Sequence, residues 1–308
     1  MTLVNKILEN RNCPTCSETL TKKSINSKTN PFDLNFENLS DQFIGFRKNQ
    51  CFFSYSICSK CKTAYCKNYF NQESLDTLYS RMPDNKFGLS DKTAFRTQLG
   101  YAKQIIKALR NRRNVSILEI GPDLGFLTLA ICKLIKVDKV TFIEPNVDVH
   151  NRLRSNFENY DFKVRILTNE NQLSKTDCFD LIVGIHVLDH LINPNERIRA
   201  YRDLLNEGGT LNFVTHNYSS LLRKILGKKW PPFCLQHPQL YSPSSFKAMA
   251  NQHKLIIATS RRTTNWLDLS AIFLRFSALL GIRKRLRVRI NVSIPVNLGN
   301  IITIFIKG

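Results

Sequence analysis

A chain of 308 residues, 43% apolar and 22% charged, is too apolar to stay disordered and long enough for one large or two ordinary domains. No eighteen apolar residues pass without a charge and the first residues hold no apolar run of leader length, so neither a membrane-spanning helix nor a signal peptide is expected. The formal charge of +21 is lopsided: residues 1–85 hold 11 basic against 8 acidic side chains, 86–217 hold 19 against 15, and 218–308 hold 15 against Asp268 alone.

That field favours an anionic partner: a phosphate-bearing substrate, an acidic membrane surface or nucleic acid. A basic surface with no ligand carries the same count. Nine cysteines are an odd number, and Cys132, Cys178 and Cys234 lie scattered in ordinary sequence. The pattern argues against a disulfide framework and for a reducing, cytoplasmic setting.

Up to about Ser90 the chain is aromatic-rich and irregular, with turn signals at Asn30-Pro31 and Met82-Pro83-Asp84-Asn85. Cys13-Pro-Thr-Cys16 and Cys58-Ser-Lys-Cys61 are two C-x-x-C pairs, each shaped to put two thiolates on one tetrahedral ion. They predict a structural Zn2+ with no open coordination position, in a zinc-ribbon-like module over residues 1–85. The competing reading is a redox dithiol. The 41 residues between the pairs imply an insertion, and Cys51 and Cys66 are alternative ligands.

From Asp91 on, helical and strand patterns alternate. Leu99, Ala102, Ile105, Ile106 and Leu109 share one helix face, and Val115–Ile120 reads as a buried strand. Further strands are predicted at Lys139–Glu144, Phe162–Leu167, Phe179–Gly184 and Thr210–Thr215. A helix over Glu196–Asn206 is expected to stop at Gly208-Gly209. Then come a helix over Ser244–His253, a strand over Lys254–Ser260 and a last strand over Asn300–Lys307. This alternation predicts an α/β domain over residues 86–308, built on a parallel sheet covered on both faces. Residues 261–299 form an insertion between the last two strands. It holds the apolar segment Trp266–Leu280, read as helical, and the basic run Arg283–Arg289. The segment is either a lid helix packed in the core or a helix lying on an anionic bilayer.

Ile117-Leu118-Glu119-Ile120-Gly121-Pro122-Asp123-Leu124-Gly125 reads as a strand, a glycine turn and a helix start, where open α/β sheets bind nucleotides. A dinucleotide fingerprint needs glycines at offsets 0, 2 and 5, and from Gly121 the latter two fall on Asp123 and Phe126. An aspartate would also repel a pyrophosphate at the helix N-terminus. S-adenosyl-L-methionine carries a sulfonium and an ammonium instead, and suits an acidic loop. Glu144, 23 positions after Gly121 at the tip of the second strand, is placed to accept both ribose hydroxyls of an adenosine.

The segments ILEIGPDLGFLT, VTFIEPN, FDLIVGIHVLDHLINP and LLNEGGTLNFVTHN resemble the successive motifs of class I S-adenosylmethionine-dependent methyltransferases. HPQLYSPSSFKAMANQHKLIIA is similar to the stretch that follows them in the branch working on quinones, lipids and sugars. The resemblance covers about residues 90–260 and the final strand. It implies a Rossmann-like seven-stranded sheet whose last strand is antiparallel. It also implies that Glu119, Gly121, Asp123 and Gly125 frame the methionine moiety, Glu144 holds the ribose, Asn169 sits by the adenine and His186 lies beside the cofactor. Asp123 departs from a common glycine, and Asp189 stands where glutamate is more usual. CSKCKTAYCKNYFNQESLDTLY resembles the zinc-binding lead-in of sugar C-methyltransferases and related proteins of polysaccharide gene clusters. Those sugar enzymes carry a further C-terminal domain for which this chain has no room.

Methyl transfer is an in-line displacement, and an oxygen or carbon acceptor must also lose a proton, a task suited to histidine. Candidates are His190, His216 and His237. His237 and His190 are preferred, because Trp230-Pro231-Pro232 and Tyr241 around His237 are placed to wall an acceptor pocket. The expectation is therefore transfer to a small-molecule, saccharide or lipid-linked acceptor, with O-methylation ahead of C- or N-methylation and peripheral membrane contact in view. Two rivals remain: an rRNA or tRNA methyltransferase, and a non-catalytic cofactor-binding scaffold. The RNA reading predicts steeply salt-dependent binding.

Overall fold

The protein is described here from a computed structural model covering residues 7–43, 50–81, 90–109, 112, 114–270, 272 and 292–308. The run Arg283–Arg289, the turn at 82–85 and most of the apolar segment after Ser270 lie outside the described residues.

Among the described residues of the first eighty, five short strands form: β1 (Leu8–Asn10), β2 (Thr21–Ile25), β3 (Tyr55–Cys58), β4 (Ala64–Cys66) and β5 (Asn68–Phe70). The larger domain supplies β6 (Val115–Ile120), β7 (Val137–Ile143), β8 (Lys163–Leu167), β9 (Phe179–Ile185), β10 (Leu205–His216), β11 (Gln239–Leu240), β12 (Leu255–Arg262), β13 (Asn265–Asp268), β14 (Ser293–Val296) and β15 (Asn300–Lys307).

Seven of these make one sheet in the order β12-β15-β10-β9-β6-β7-β8, with β15 antiparallel to both neighbours and the remaining pairings parallel. Every residue of β6 is buried, and the two-residue side-chain period sends alternate ones to opposite faces. Val115 and Ile117 join one apolar core with Tyr101, Ala102 and Ile105 of the helix Asp91–Ile105. Leu118 and Ile120 join the other, with Tyr201 and Phe246. Burial on both faces fixes the register, because a one-residue slip would exchange the two cores.

The chain turns away from β6 in one direction through β7 and β8 and in the other through β9 and β10, so the switch point lies between β6 and β9. The carboxy ends of β6, β7, β9 and β10 therefore open onto one crevice.

Three features differ from the sequence expectation. The helix after β9 spans Pro194–Asp203, and Gly208-Gly209 lie beyond its end, in the irregular start of β10 where the register against β9 shifts. Trp266 sits in β13, paired with Pro295 of β14, and not in a helix. Periodicity in one segment carries no sign of a strand partner nearly thirty residues away. The N-terminal module also takes a strand from the larger domain: β11 pairs with β4 to complete the sheet β11-β4-β3-β2. Trp230, Phe233, Leu235 and Leu240 pack into the same apolar core as Phe43, Phe53, Tyr55 and Phe70. Module and domain are thus stitched together by both hydrogen bonds and a shared core.

Candidate active site

The glycine turn follows β6. Gly121 has φ +62° and Gly125 φ +70°, both in the left-handed region. A Cβ on Gly125 would stand 2.7 Å from Phe157 Cε2 and 2.8 Å from Leu153 Cδ1. Asp123 is also left-handed, at φ +51°, a conformation aspartate tolerates better than most side chains.

Glu144, just past β7, ties this turn to its own strand. Its Oε2 accepts from the Asp123 backbone N–H at 3.1 Å and its Oε1 from Asn146 N–H at 2.9 Å. Burial raises its pKa, and the two backbone donors oppose the rise. Glu119 is wholly inside, accepting from Thr128 Oγ1 at 2.5 Å. Burial lifts it to about 7, with Glu144 and Asp123 adding to the rise. The crevice thus carries three carboxylates on adjacent elements. Asn169, exposed past the end of β8, caps the turn Glu170–Gln172 by accepting from Asn171 N–H at 3.1 Å.

The other side of the crevice holds a cluster that no single sequence segment revealed. His186, at φ +53° past the end of β9, stacks on His216 at the end of β10, ring centres 4.5 Å apart. Asp189 has no exposed surface and faces both: its Oδ2 lies 4.0 Å from His186 Nδ1 and 3.9 Å from His216 Nε2, and accepts from the His216 backbone N–H at 3.2 Å. Among the described residues, its Oδ1 and His186 Nδ1 have no hydrogen-bond partner. Burial works against the Asp189 charge, but the surrounding imidazoles hold its carboxyl below the usual carboxylate range. Asn300, opposite His216 in the β10–β15 register, touches the outer nitrogens of both rings: its Oδ1 is 3.0 Å from His216 Nδ1 and its Nδ2 3.4 Å from His186 Nε2.

Beside them lie His237 and His190, with their Nε2 atoms 3.2 Å apart. His237 Nδ1 is 2.7 Å from the Pro232 carbonyl and 3.1 Å from Cys234 Sγ. Burial opposes charge on His237, yet Cys234 and Asp189 raise its pKa to about 9. Burial and the neighbouring His237 push His190 down to about 3. Of the two histidines preferred on sequence grounds, His237 is buried and His190 half-buried, and the ring nitrogens of both are already engaged. His216 and His186 keep 21% and 29% of their side chains exposed. Trp230 meets His216 edge-on with ring centres 6.2 Å apart, whereas Tyr241 stacks on Phe246 in the core and is no pocket wall.

Cys13, Cys16, Cys58 and Cys61 meet at the base of the module, all four sulfurs within 4.8 Å of one another. The Cys13–Cys61 and Cys16–Cys58 separations are 3.4 and 3.5 Å. Cys51 and Cys66 lie elsewhere, directed at the carbonyls of Thr29 and Phe53. Cys234, passed over in the sequence as one of three scattered thiols, belongs to the histidine cluster. The only hint of that cluster in one segment is the spacing of His186, Asp189 and His190. His216, His237 and Asn300 arrive from distant strands and loops. Among the described residues no helix is long and apolar enough to cross a membrane.

The family profile described as a methyltransferase domain matches residues 94–256, more than half of the chain. A ubiquinone biosynthesis O-methyltransferase of Hydrogenovibrio crunogenus is 26% identical over 164 residues, 50% of this chain and 67% of that protein. The 235L protein of Invertebrate iridescent virus 6 is 23% identical over 141 residues, 44% of this chain and 52% of its own. The chain thus spans about half the length of that viral relative. Among solved structures, the YcgJ protein of Bacillus subtilis superposes with a TM-score of 0.48 at 16% identity, covering 67% of this chain and 97% of that one.

Proposed function

The chain belongs to the S-adenosylmethionine-dependent methyltransferases, a family of enzymes, and from that membership we propose that it methylates a hydroxyl of a small, anionic saccharide or lipid-linked acceptor. The observation that carries this reading is the acidic crevice. Glu119, Asp123 and Glu144 surround a left-handed turn at the switch point, a setting that suits a sulfonium and an ammonium and opposes a pyrophosphate. Glu144 holds the ribose, Gly121 and Gly125 let the backbone approach the methionine moiety, and Glu119 answers its ammonium. Asn169 flanks the adenine, and His186 lies beside the cofactor.

An imidazole-lined acceptor side supports oxygen as the methylated atom, since an alcohol must lose its proton as the methyl group arrives. The 15 basic residues against one acidic residue in 218–308 support an acceptor bearing phosphate and contact with an acidic membrane surface. The four gathered thiols support a structural Zn2+. A tetrahedral ion with Zn–S bonds of about 2.3 Å sets its sulfurs about 3.8 Å apart, close to the separations seen.

Calorimetry with S-adenosylmethionine and S-adenosylhomocysteine tests the cofactor site, comparing wild type with Glu144→Ala. Micromolar binding lost in the variant supports the reading. No binding by a folded, zinc-loaded wild type would leave a scaffold as the better account.

A further inference from the structure

His186, Asp189 and His216 have the composition of a two-histidine, one-carboxylate cation site, and Asp189 is buried with one oxygen unpartnered. Asn300 argues against a metal. An ion held by all three groups needs a lone pair directed inward from each imidazole, and so an N–H directed outward from each. The outward nitrogens are His216 Nδ1 and His186 Nε2, and both face one carboxamide. A carboxamide offers these two rings one acceptor and one donor. Its oxygen takes the N–H of His216, and its nitrogen gives a hydrogen to His186. Asn265 Oδ1 holds the same Asn300 nitrogen at 3.2 Å. His216 is thereby left with a lone pair on Nε2, while His186 turns an N–H toward Asp189.

We infer that His216 Nε2 receives the acceptor's proton, with Asn300 and Asp189 as the positioning residues that fix its tautomer and stabilise its charged form. This rests on the methyltransferase reading above. The acceptor O–H bond breaks toward Nε2 as the oxygen lone pair forms the new bond to the methyl carbon. The old carbon–sulfur bond leaves its electron pair on sulfur. The imidazolium so formed lies 3.9 Å from the Asp189 carboxylate until it loses the proton to water. Burial and the adjacent His186 hold the free ring's pKa low, so the ring is neutral before the acceptor arrives. His190, His237 and Cys234 are the remaining titratable groups around it. Of the imidazoles paired with Asp189, His216 combines exposure to the crevice with an inward lone pair.

The test needs no identified acceptor. Long-range 1H–15N spectra of the zinc-loaded full chain report which nitrogen of each imidazole carries hydrogen, and diethyl pyrocarbonate labelling reports which unprotonated nitrogen is reachable. We expect His216 as the Nδ1–H tautomer, labelled before His190 and His237 and protected by S-adenosylhomocysteine. Asn300→Ala should shift its tautomer ratio by about fivefold to tenfold, the equivalent of about 1 to 1.4 kcal/mol. Should that variant fail to fold, Asn300→Asp supplies the comparison: a carboxylate accepts from both outward nitrogens and frees both inward lone pairs. An Nε2–H tautomer in the wild type, or first labelling of His237 or His190, overturns the inference. So does a second equivalent of Co2+, beyond the four-cysteine site, that is lost in Asp189→Asn. S-adenosylhomocysteine binding by the same wild-type sample judges the methyltransferase reading separately.

Discussion

The Tyr79 hydroxyl, from the last helix of the N-terminal module, lies 2.8 Å from Nδ1 of His190 in the histidine cluster. The two residues are 111 positions apart in sequence, and the bond crosses from the module to the histidine cluster of the larger domain. A second tie runs parallel to it: Arg11 Nη2 donates to Gln239 Oε1 at 2.9 Å, and Gln239 Nε2 donates to the Leu188 and Leu191 carbonyls on either side of His190. The module is therefore part of the scaffold of the histidine cluster.

Replacing Tyr79 with Phe removes the hydroxyl and leaves the half-buried His190 nitrogen without that partner. The cost is about 1 to 2 kcal/mol, set by the unsatisfied imidazole more than by the lost bond itself. Thermal unfolding should fall by several degrees, and the His190 ring signals should move while those of His150, whose Nε2 lies 2.7 Å from the Glu144 carbonyl, stay in place. Unchanged His190 signals would mean that the bond is not held in solution.

Glu119 gives a pH dependence whose sign can be worked out. Its folded pKa of about 7 lies above the ordinary 4.5, so the folded state binds the extra proton between those values. Its contribution to stability is fully present below about pH 4.5 and is lost as pH rises through 7, by at most about 3 kcal/mol for a fully buried group. An ammonium beside it favours the carboxylate, so cofactor binding near pH 6 should release a proton and affinity should rise with pH through 7. Titrations in buffers of different ionisation enthalpy read the proton directly. Glu119→Gln should bind more weakly and show neither the release nor the slope.

Gly125 is the position in the turn least able to accept a side chain. In Gly125→Ala the methyl group would meet Phe157 and Leu153 below 3 Å, at a φ that L-residues avoid. Overpacking and strain together cost about 2 to 5 kcal/mol. We expect loss of S-adenosylhomocysteine binding and a lower melting temperature. An alanine variant that bound normally would show that the turn is free to shift.

The sheet was legible because each strand is a short apolar run bounded by turn residues, and burial on both faces leaves little else for VSILEI or FDLIVGI to become. The turn Gly121–Gly125 and Glu144 were legible for a related reason: they sit at fixed offsets from strand ends. The histidine cluster was not. Asn300 and His216 meet only because β15 inserts antiparallel beside β10, and Cys234 reaches His237 only through the loop that feeds β11. Side chains gathered from four separate segments leave no periodic trace. The strand β13 escaped notice similarly, since its stability comes from β14 and from the helix Asp91–Ile105, where Thr97 accepts from Trp266 N–H at 2.7 Å and Arg96 stacks 3.7 Å over the Trp266 ring.

Metal removal tests how far the module supports the rest. If the four thiols hold zinc, one equivalent per chain should be found by elemental analysis and lost in Cys58→Ser together with Cys61→Ser. The consequence should not stop at the cysteines. Cys58 ends β3, β3 pairs with β4, and β4 pairs with β11, which leads straight out of the His237 loop. Tyr55 of β3 also donates to the His237 carbonyl at 2.6 Å. Loss of the ion should therefore loosen the His237 loop while leaving β6, β7 and the Glu144 turn in place. Hydrogen exchange should rise through residues 55–66 and 234–241 but not through 115–120. S-adenosylhomocysteine should still bind, within about threefold of the zinc-loaded protein, a difference of about 0.7 kcal/mol. Uniform loss of protection across the large sheet would mean instead that the two parts fold as one cooperative unit, and that the metal stabilises the whole chain.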